Sequence, residues 1–273
     1  MESWTYRIPL IPNDAVTYIL LYVPAAELLA VHRLVCRQWK EIIDGPTLWK
    51  KKCQWEGFIP KTIRRSPKSW KVFYVLSSLK RNLIRNPSAE ENLDGWKIIS
   101  NGGDKWRIED LPGDHGTPHP EEHVNKYFVT SFGKCEKEQI IDLNAEGYCS
   151  ELLDNINPAI VVTDWYAARR DCGSKYNILV QLLSGSLEVL HEFCPKTVVI
   201  EQWSDACWRK MTHTFKNYGH GVRYVRFNHA GEDTQFWKGW YGIRVTNSSV
   251  VVEPETLTVV SEGTKVVLPC QEA

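Results

Sequence analysis

The residues best equipped for chemistry lie between His229 and Gly242, in the order His-Ala-Gly-Glu-Asp-Thr-Gln-Phe-Trp-Lys-Gly-Trp-Tyr-Gly. Phe236, Trp237, Trp240 and Tyr241 crowd together with Lys238 among them and Gly239 and Gly242 beside them. A displayed indole offers a flat apolar surface to the C–H face of a pyranose, while Lys, Asp and Asn supply fixed donors and acceptors for its hydroxyl and acetamide groups. The same cluster can also be read as a buried strand. Strict alternation sends Phe236, Lys238 and Trp240 to one face and Gln235, Trp237 and Tyr241 to the other, and one set then packs in a core. Gly231, Glu232 and Asp233 just before the cluster point instead to a loop at a sheet's end. From the residues alone both readings stand.

Other candidate chemistry is weaker. His115, His119 and His123 are spaced by four, as metal ligands on a helix would be, but Pro118 and Pro120 lie among them and oppose a helix. Glu232 and Asp233 are adjacent and cannot flank a glycosidic bond from two sides. There is no G-x-S-x-G, phosphate-binding loop or dinucleotide fingerprint, and no C-x-x-C pair. No catalytic residue, metal or cofactor is therefore expected. Asn247-Ser248-Ser249 is a glycosylation sequon, expected to stay unmodified without export.

Residues 88–253 would position the aromatic cluster. Short runs rich in β-branched and aromatic residues recur there: Trp96–Ile99, Lys126–Thr130, Ala159–Val162, Tyr176–Val180, Thr197–Ile200 and Val222–Phe227. Several alternate apolar with polar, and turn residues separate them, which predicts an antiparallel, jelly-roll-like β-sandwich. Trp96, Trp106 and Trp165 are expected in its core, and Glu151–Asp154 forms one helical turn. Upstream, residues 8–50 read as three short helices. Ile11-Pro12-Asn13-Asp14 precedes Val16, Ile19, Leu20 and Val23, then Pro24 interrupts, and Gly45-Pro46 interrupts again before Leu48-Trp49. So short a segment cannot bury all these side chains within itself. Either it caps the rest of the chain or one apolar face serves a partner.

Residues 51–87 form a basic linker in which Ser69–Ile84 suits an amphipathic helix. Such a helix can bind nucleic acid or anionic lipid, or its charges can be a solvated face set against an acidic neighbour. The charge pattern bears on this choice. Over all 273 residues the net charge is zero, yet residues 1–86 carry 15 Lys and Arg against 6 Asp and Glu, and the remainder carries 18 against 27. Two modules of opposite sign are implied. Residues 254–273 read as a loosely ordered polar tail in which Val266-Val267-Leu268 could pair locally. No run of about 20 apolar residues exists to span a membrane, and no export signal begins the chain. The eight cysteines are accordingly expected to be reduced cytosolic thiols, mostly buried.

Two sets of landmarks carry a family resemblance. Ile11-Pro12, Val23-Pro24, Leu34-Val35-Cys36-Arg37-Gln38-Trp39 and Leu48-Trp49 resemble an F-box, with Ile in place of the family's usual Leu before the first proline. Asn101-Gly102-Gly103-Asp104-x-Trp106, Tyr127–Phe132, Ala145–Tyr148, Asp164–Arg169 and Phe236–Ser249 resemble the F-box-associated domain of the sugar-recognising F-box proteins. The similarity covers about residues 8–253. It implies a multidomain chain, α followed by all-β, in which the F-box docks on the small adaptor subunit of an SCF-type ubiquitin ligase and, through it, on the cullin scaffold. The implied adaptor contacts or their immediate supports are Ile11, Pro12, Ile19, Leu20, Leu34, Val35 and Trp39.

For the β-sandwich, the resemblance implies loops that bind the chitobiose core of high-mannose N-glycans. The glycan residues it implies are Phe132, Asp171, Phe236, Trp237, Lys238 and His115. Family members commonly have Tyr where this chain has Phe236, and one has Asn where this chain has His115. The implied function is a cytoplasmic, non-catalytic substrate receptor that presents misfolded N-glycosylated proteins for ubiquitination and ER-associated degradation, with no nucleic-acid partner. The alternative is a receptor whose sandwich reads a protein surface without binding glycan.

Overall fold

The computed structural model describes residues 11–59 and 65–256, in two compact units that divide at Ser78/Leu79. Lys61, Arg64, Cys270, the start of the expected F-box and nearly all of the expected tail lie outside the described residues.

The first unit is helical: α1 (Asn13–Leu21), α2 (Ala25–Ala30), a 3-10 turn (His32–Leu34), α3 (Arg37–Asp44), α4 (Pro46–Trp55) and most of α5 (Trp70–Leu79). Prolines punctuate it. Pro12 and Pro24 stand at the N-caps of α1 and α2, and Pro46 opens α4, a position whose N–H would have no helical partner. Where three helices are expected over residues 8–50 there are four and a 3-10 turn, and α4 continues to Trp55. The core joins Val16, Leu20, Leu28, Ile43, Leu48 and Trp49 to Trp70, Phe73 and Tyr74 of α5. Lys52 is buried within it, donating to the carbonyls of Leu21 at 3.0 Å and Val23 at 3.2 Å. A lysine thus satisfies the carbonyls that the end of α1 leaves unpaired. The predicted helix over Ser69–Ile84 stops early, at Leu79. Asn82 explains the stop, because its carboxamide bonds the Ile84 and Val250 amides and the Ser248 carbonyl, an alternative to continuing the helix.

The second unit is a two-sheet antiparallel β-sandwich. Its strands are β1 (Lys97–Asn101), β2 (Arg107–Asp110), β3 (Lys126–Val129), β4 (Cys135–Asp142), β5 (Ala159–Ala167), β6 (Ser174–Leu183), β7 (Val189–Phe193), β8 (Val198–Ile200), β9 (Arg209–Phe215), β10 (Tyr224–Asp233) and β11 (Arg244–Glu253). One sheet runs β1-β4-β10-β6-β7 with β8 also on β6, and the other runs β2-β3-β11-β5-β9. Helix α6 (Ser150–Ile156) precedes β5, longer than the single turn expected.

Trp96 and Trp106 are buried, as expected, but Trp165 is half-buried with Lys210 over its ring at 5.4 Å. Its neighbour Asp164 takes the interior position instead. That carboxylate accepts from Tyr176 and Ser248 at 2.7 Å each and lies 2.7 Å from Nδ1 of His229. The cysteine expectation needs correction too. Of the seven described, Cys53, Cys135 and Cys172 are buried, whereas Cys36, Cys149, Cys194 and Cys207 are exposed. The exposed four lie in turns, caps and loops.

Register decides where function can sit. Ala167, Arg244, Val129 and Arg107 pair across one sheet, and Asp233 pairs with Ser174, which pairs with Ile200, in the other. Strand direction then brings the β1–β2, β3–β4, β5–β6, β8–β9 and β10–β11 connections to one end of the sandwich. The aromatic cluster lies in the last of these.

Candidate functional site

Strand β10 ends at Asp233, and the chain turns there because that side chain holds the turn. Its Oδ1 accepts from the amides of Gln235 at 3.0 Å and Phe236 at 2.5 Å. Burial pushes the Asp233 carboxyl above its ordinary pKa even though these amides favour the ionised form. The Thr234 amide reaches the Gly173 carbonyl at 3.0 Å, and the Asp233 amide reaches the Ser131 carbonyl at 3.1 Å. Phe236 then adopts a left-handed backbone, φ 56°, and the residue is 74% exposed. Trp237 is 40% exposed and meets Tyr241 edge-on at 5.5 Å. This resolves the two readings of the cluster: it is a loop of displayed rings, not a strand. Trp240 turns inward, its Nε1 donating to the Lys105 carbonyl at 3.1 Å and its ring lying under Arg107 at 4.4 Å. Gly242 closes the loop where a β-carbon would stand 2.1 Å from Thr130 Oγ1.

The other expected glycan residues come from neighbouring loops. Phe132 is half-buried and follows Ser131, whose hydroxyl donates to the Gly239 carbonyl at 2.7 Å. Asp171 sits in the β5–β6 loop and is gripped by both arms of Arg169, at 2.9 and 3.0 Å, which holds its carboxyl below the usual range. Arg169 in turn lies over the ring of Tyr241 at 4.6 Å. His115 belongs to the β2–β3 connection, which leaves from the opposite end of those short strands but folds back. The buried Arg244 guanidinium gathers it, donating to the carbonyls of Asp114 at 2.5 Å and Pro112 at 3.3 Å. The His115 carbonyl accepts from the Arg170 amide at 2.9 Å, and its Nε2 stands 3.7 Å from Asp171. At φ 51° His115 occupies a left-handed position, one at which Asn and His are among the better tolerated residues. Lys238 is exposed directly after the displayed Trp237.

All six residues thus sit on loops tied to one another at one end of the sandwich. They form a rim. A recess of about 320 Å³ along β4, lined by Leu83, Lys97, Ile140 and Glu146 among others, is separate from these loops. Sequence reasoning missed three contributors here. Arg169 and Tyr241 brace the site, and Trp203 is displayed beside it. Arg169 could have been suspected from its spacing to Asp171. Trp203 sits alone in a polar loop and gave no pattern to read.

On the helical unit, Ile11, Pro12, Ile19, Leu34 and Val35 are exposed, as an adaptor contact requires. Leu20 is fully buried and Trp39 half-buried, stacked on His32 at 5.7 Å, so these two support the face from beneath. Tyr18, Tyr22 and Trp55 add an exposed edge-to-face ladder that the sequence pattern did not single out, with ring separations of 5.9 and 5.3 Å.

A family model for the F-box associated region matches residues 74–252, and one for an F-box-like region matches residues 8–55. The chain belongs to the F-box proteins with an F-box-associated domain. It is similar to F-box only protein 6 of Rattus norvegicus, 54% identical over 246 residues, 90% of this chain and 87% of the relative. F-box only protein 44 of Homo sapiens is 50% identical over 244 residues, 89% of this chain and 96% of the relative. F-box only protein 2 of Bos taurus is 51% identical over 247 residues, 89% of this chain and 83% of the relative. The F-box thus spans α1 to α4, and the F-box-associated region contains the sandwich strands, except the last residue of β11, and the six rim residues. Among the described residues of this F-box protein, no helix is long and apolar enough to cross a membrane.

Proposed function

We propose that this F-box protein is the substrate-recognition subunit of an SCF-type ubiquitin ligase, with its F-box on the adaptor and its sandwich rim on the chitobiose core of N-glycans. The observation that carries the sugar half is the pair of displayed rings, Phe236 and Trp237, on a loop whose turn is fixed by the buried Asp233. Preorganised rings lose little freedom on binding, so most of the area they bury counts toward affinity. Lys238 and Asp171 flank the rings with a donor and an acceptor of fixed charge. The chain itself catalyses nothing. It raises the local concentration of a client near a ubiquitin-charged enzyme held elsewhere on the scaffold. The inner sugars of a glycan are most open where the attached polypeptide is unfolded, which favours misfolded glycoproteins reaching the cytosol, for ubiquitination and ER-associated degradation.

Retention of the full chain on immobilised chitobiose, with Trp237→Ala beside it, tests the reading. Wild type is retained and the variant is not, while both still form the adaptor complex. Equal retention of the two would remove the site assignment. Failure of wild type to bind sugar, with the adaptor complex intact, would favour a sandwich that reads a protein surface.

A further inference from the structure

Trp203, in the β8–β9 loop, is 71% exposed, the most exposed tryptophan among the described residues. Its backbone lies in the left-handed region, φ 68°, which costs a side-chain-bearing residue about 1 kcal/mol. Neither the display nor the strain stabilises the sandwich, so both call for another explanation. The loop is nevertheless fixed. The Trp203 amide donates to the Arg170 carbonyl at 2.7 Å, and the Gln202 side chain donates to the Asp171 carbonyl at 2.9 Å. Packing continues from there to the aromatic loop: a β-carbon on Gly173 would stand 3.0 Å from the Gln202 nitrogen and 2.5 Å from Thr234 Oγ1. Trp203 is therefore a further displayed ring of the rim, on a loop that borders the 170–173 segment as the loop of Phe236 and Trp237 does.

The surroundings select the occupant. Gln202, Ser204 and Asp205 flank Trp203 in the chain and Arg170 is its backbone partner, and the described loops at 111–116, 168–173 and 201–208 expose no other large apolar side chain. A peptide anchor needs a surrounding ring of contacts that shuts out water. A pyranose needs one flat apolar face with donors and acceptors around it. We propose that Trp203 is a second stacking platform of the rim, taking a mannose beyond the chitobiose, an inference that rests on the glycan reading above.

Calorimetry on the full chain tests it with two probes, chitobiose and the pentasaccharide core that carries three mannoses. Wild type should bind the pentasaccharide about tenfold more tightly than chitobiose, the worth of one stacked hexose face. Trp203→Ala should erase that advantage and leave chitobiose affinity within about twofold, and Trp203→Phe should keep most of the advantage. The proposal is overturned if Trp203→Ala changes neither affinity, or lowers both equally, which would mark a loop effect. It is also overturned, with the chitobiose reading intact, if wild type binds both probes equally. If wild type binds neither, the glycan reading itself falls and this one with it.

Discussion

On the helical unit five of the eight exposed large apolar side chains among the described residues are aliphatic, Ile11, Ile19, Val31, Leu34 and Val35, beside the aromatic ladder of Tyr18, Tyr22 and Trp55. At the sandwich rim they are single rings, Phe236, Trp237 and Trp203, set among Lys238, Asp171, Arg170 and His115. Both surfaces count as exposed hydrophobic area, yet they can shed water only against different partners. A continuous aliphatic face loses its water when another apolar face covers it. A ring among charged and polar groups needs a partner that presents C–H and hydroxyl groups together, or those polar groups are left unpaired. The contrast supports the proposed protein partner for one surface and the proposed sugar for the other without reference to any sequence motif.

The largest effect expected from breaking this contrast is on the helical face. Leu34→Glu with Val35→Glu puts two charges where an apolar partner should close. It should weaken adaptor binding by more than about 100-fold while chitobiose binding stays unchanged. Calorimetry with purified adaptor and with chitobiose reads both halves, and a parallel loss of sugar binding would mean that the two surfaces are not separable. The next effect is at the rim. Asp233→Ala removes the acceptor that fixes Gln235 and Phe236, and should lower chitobiose affinity about tenfold, because the rings must then be ordered at the moment of binding. Asp233→Asn keeps an acceptor at Oδ1 and should recover most of the loss. If the two variants behave alike, the charge and not the turn is what matters.

These contrasts were unevenly legible in the sequence. Proline positions and apolar spacing revealed the helices, and β-branched runs revealed six strands. Strands β2, β4, β7 and β9 escaped because much of their sequence looks like surface, and β11 because the polar run Thr-Asn-Ser-Ser interrupts its valines. In β4, Cys-Glu-Lys-Glu-Gln reads as polar, yet Lys137 is fully buried, with its Nζ 3.2 Å from the centre of the Trp96 ring, and burial pushes its pKa well down. A lysine side chain packed against indole and benzene rings fills the core while defeating a hydrophobicity pattern. The rim was legible where its residues are adjacent in sequence, as at 236–238. It was not legible where distant loops converge, because only register brings Asp171 and Trp203 beside one another. His115 reaches the rim on a loop gathered by Arg244, a guanidinium buried at the first residue of β11 and invisible as such in the sequence, and tied to the Arg170 amide.

The smallest effect is the control that sharpens the comparison, and it lies at the opposite end of the sandwich. There the Arg223 guanidinium donates to both oxygens of Asp154, at 2.9 and 2.7 Å, and the Gly221 amide adds a bond of 2.8 Å. These donors, Arg223 first, lower the Asp154 carboxyl to about 2. A carboxyl depressed in the folded state contributes stability that is complete above its unfolded value, near 4, and is lost as pH falls toward 2. The pair is partly open to water, so its contribution is about 1 kcal/mol. Asp154→Asn should therefore lower the thermal midpoint by a few degrees at pH 6, with the gap to wild type closing between about pH 4 and pH 2. Chitobiose affinity at pH 6 should not move, since Asp154 touches none of the rim loops. A gap that persists at pH 2 would mean that the ion pair is not its source. A change in sugar binding would mean that the two ends of the sandwich are coupled through the sheets, and that the rim is not the self-contained platform its loop-to-loop hydrogen bonds describe.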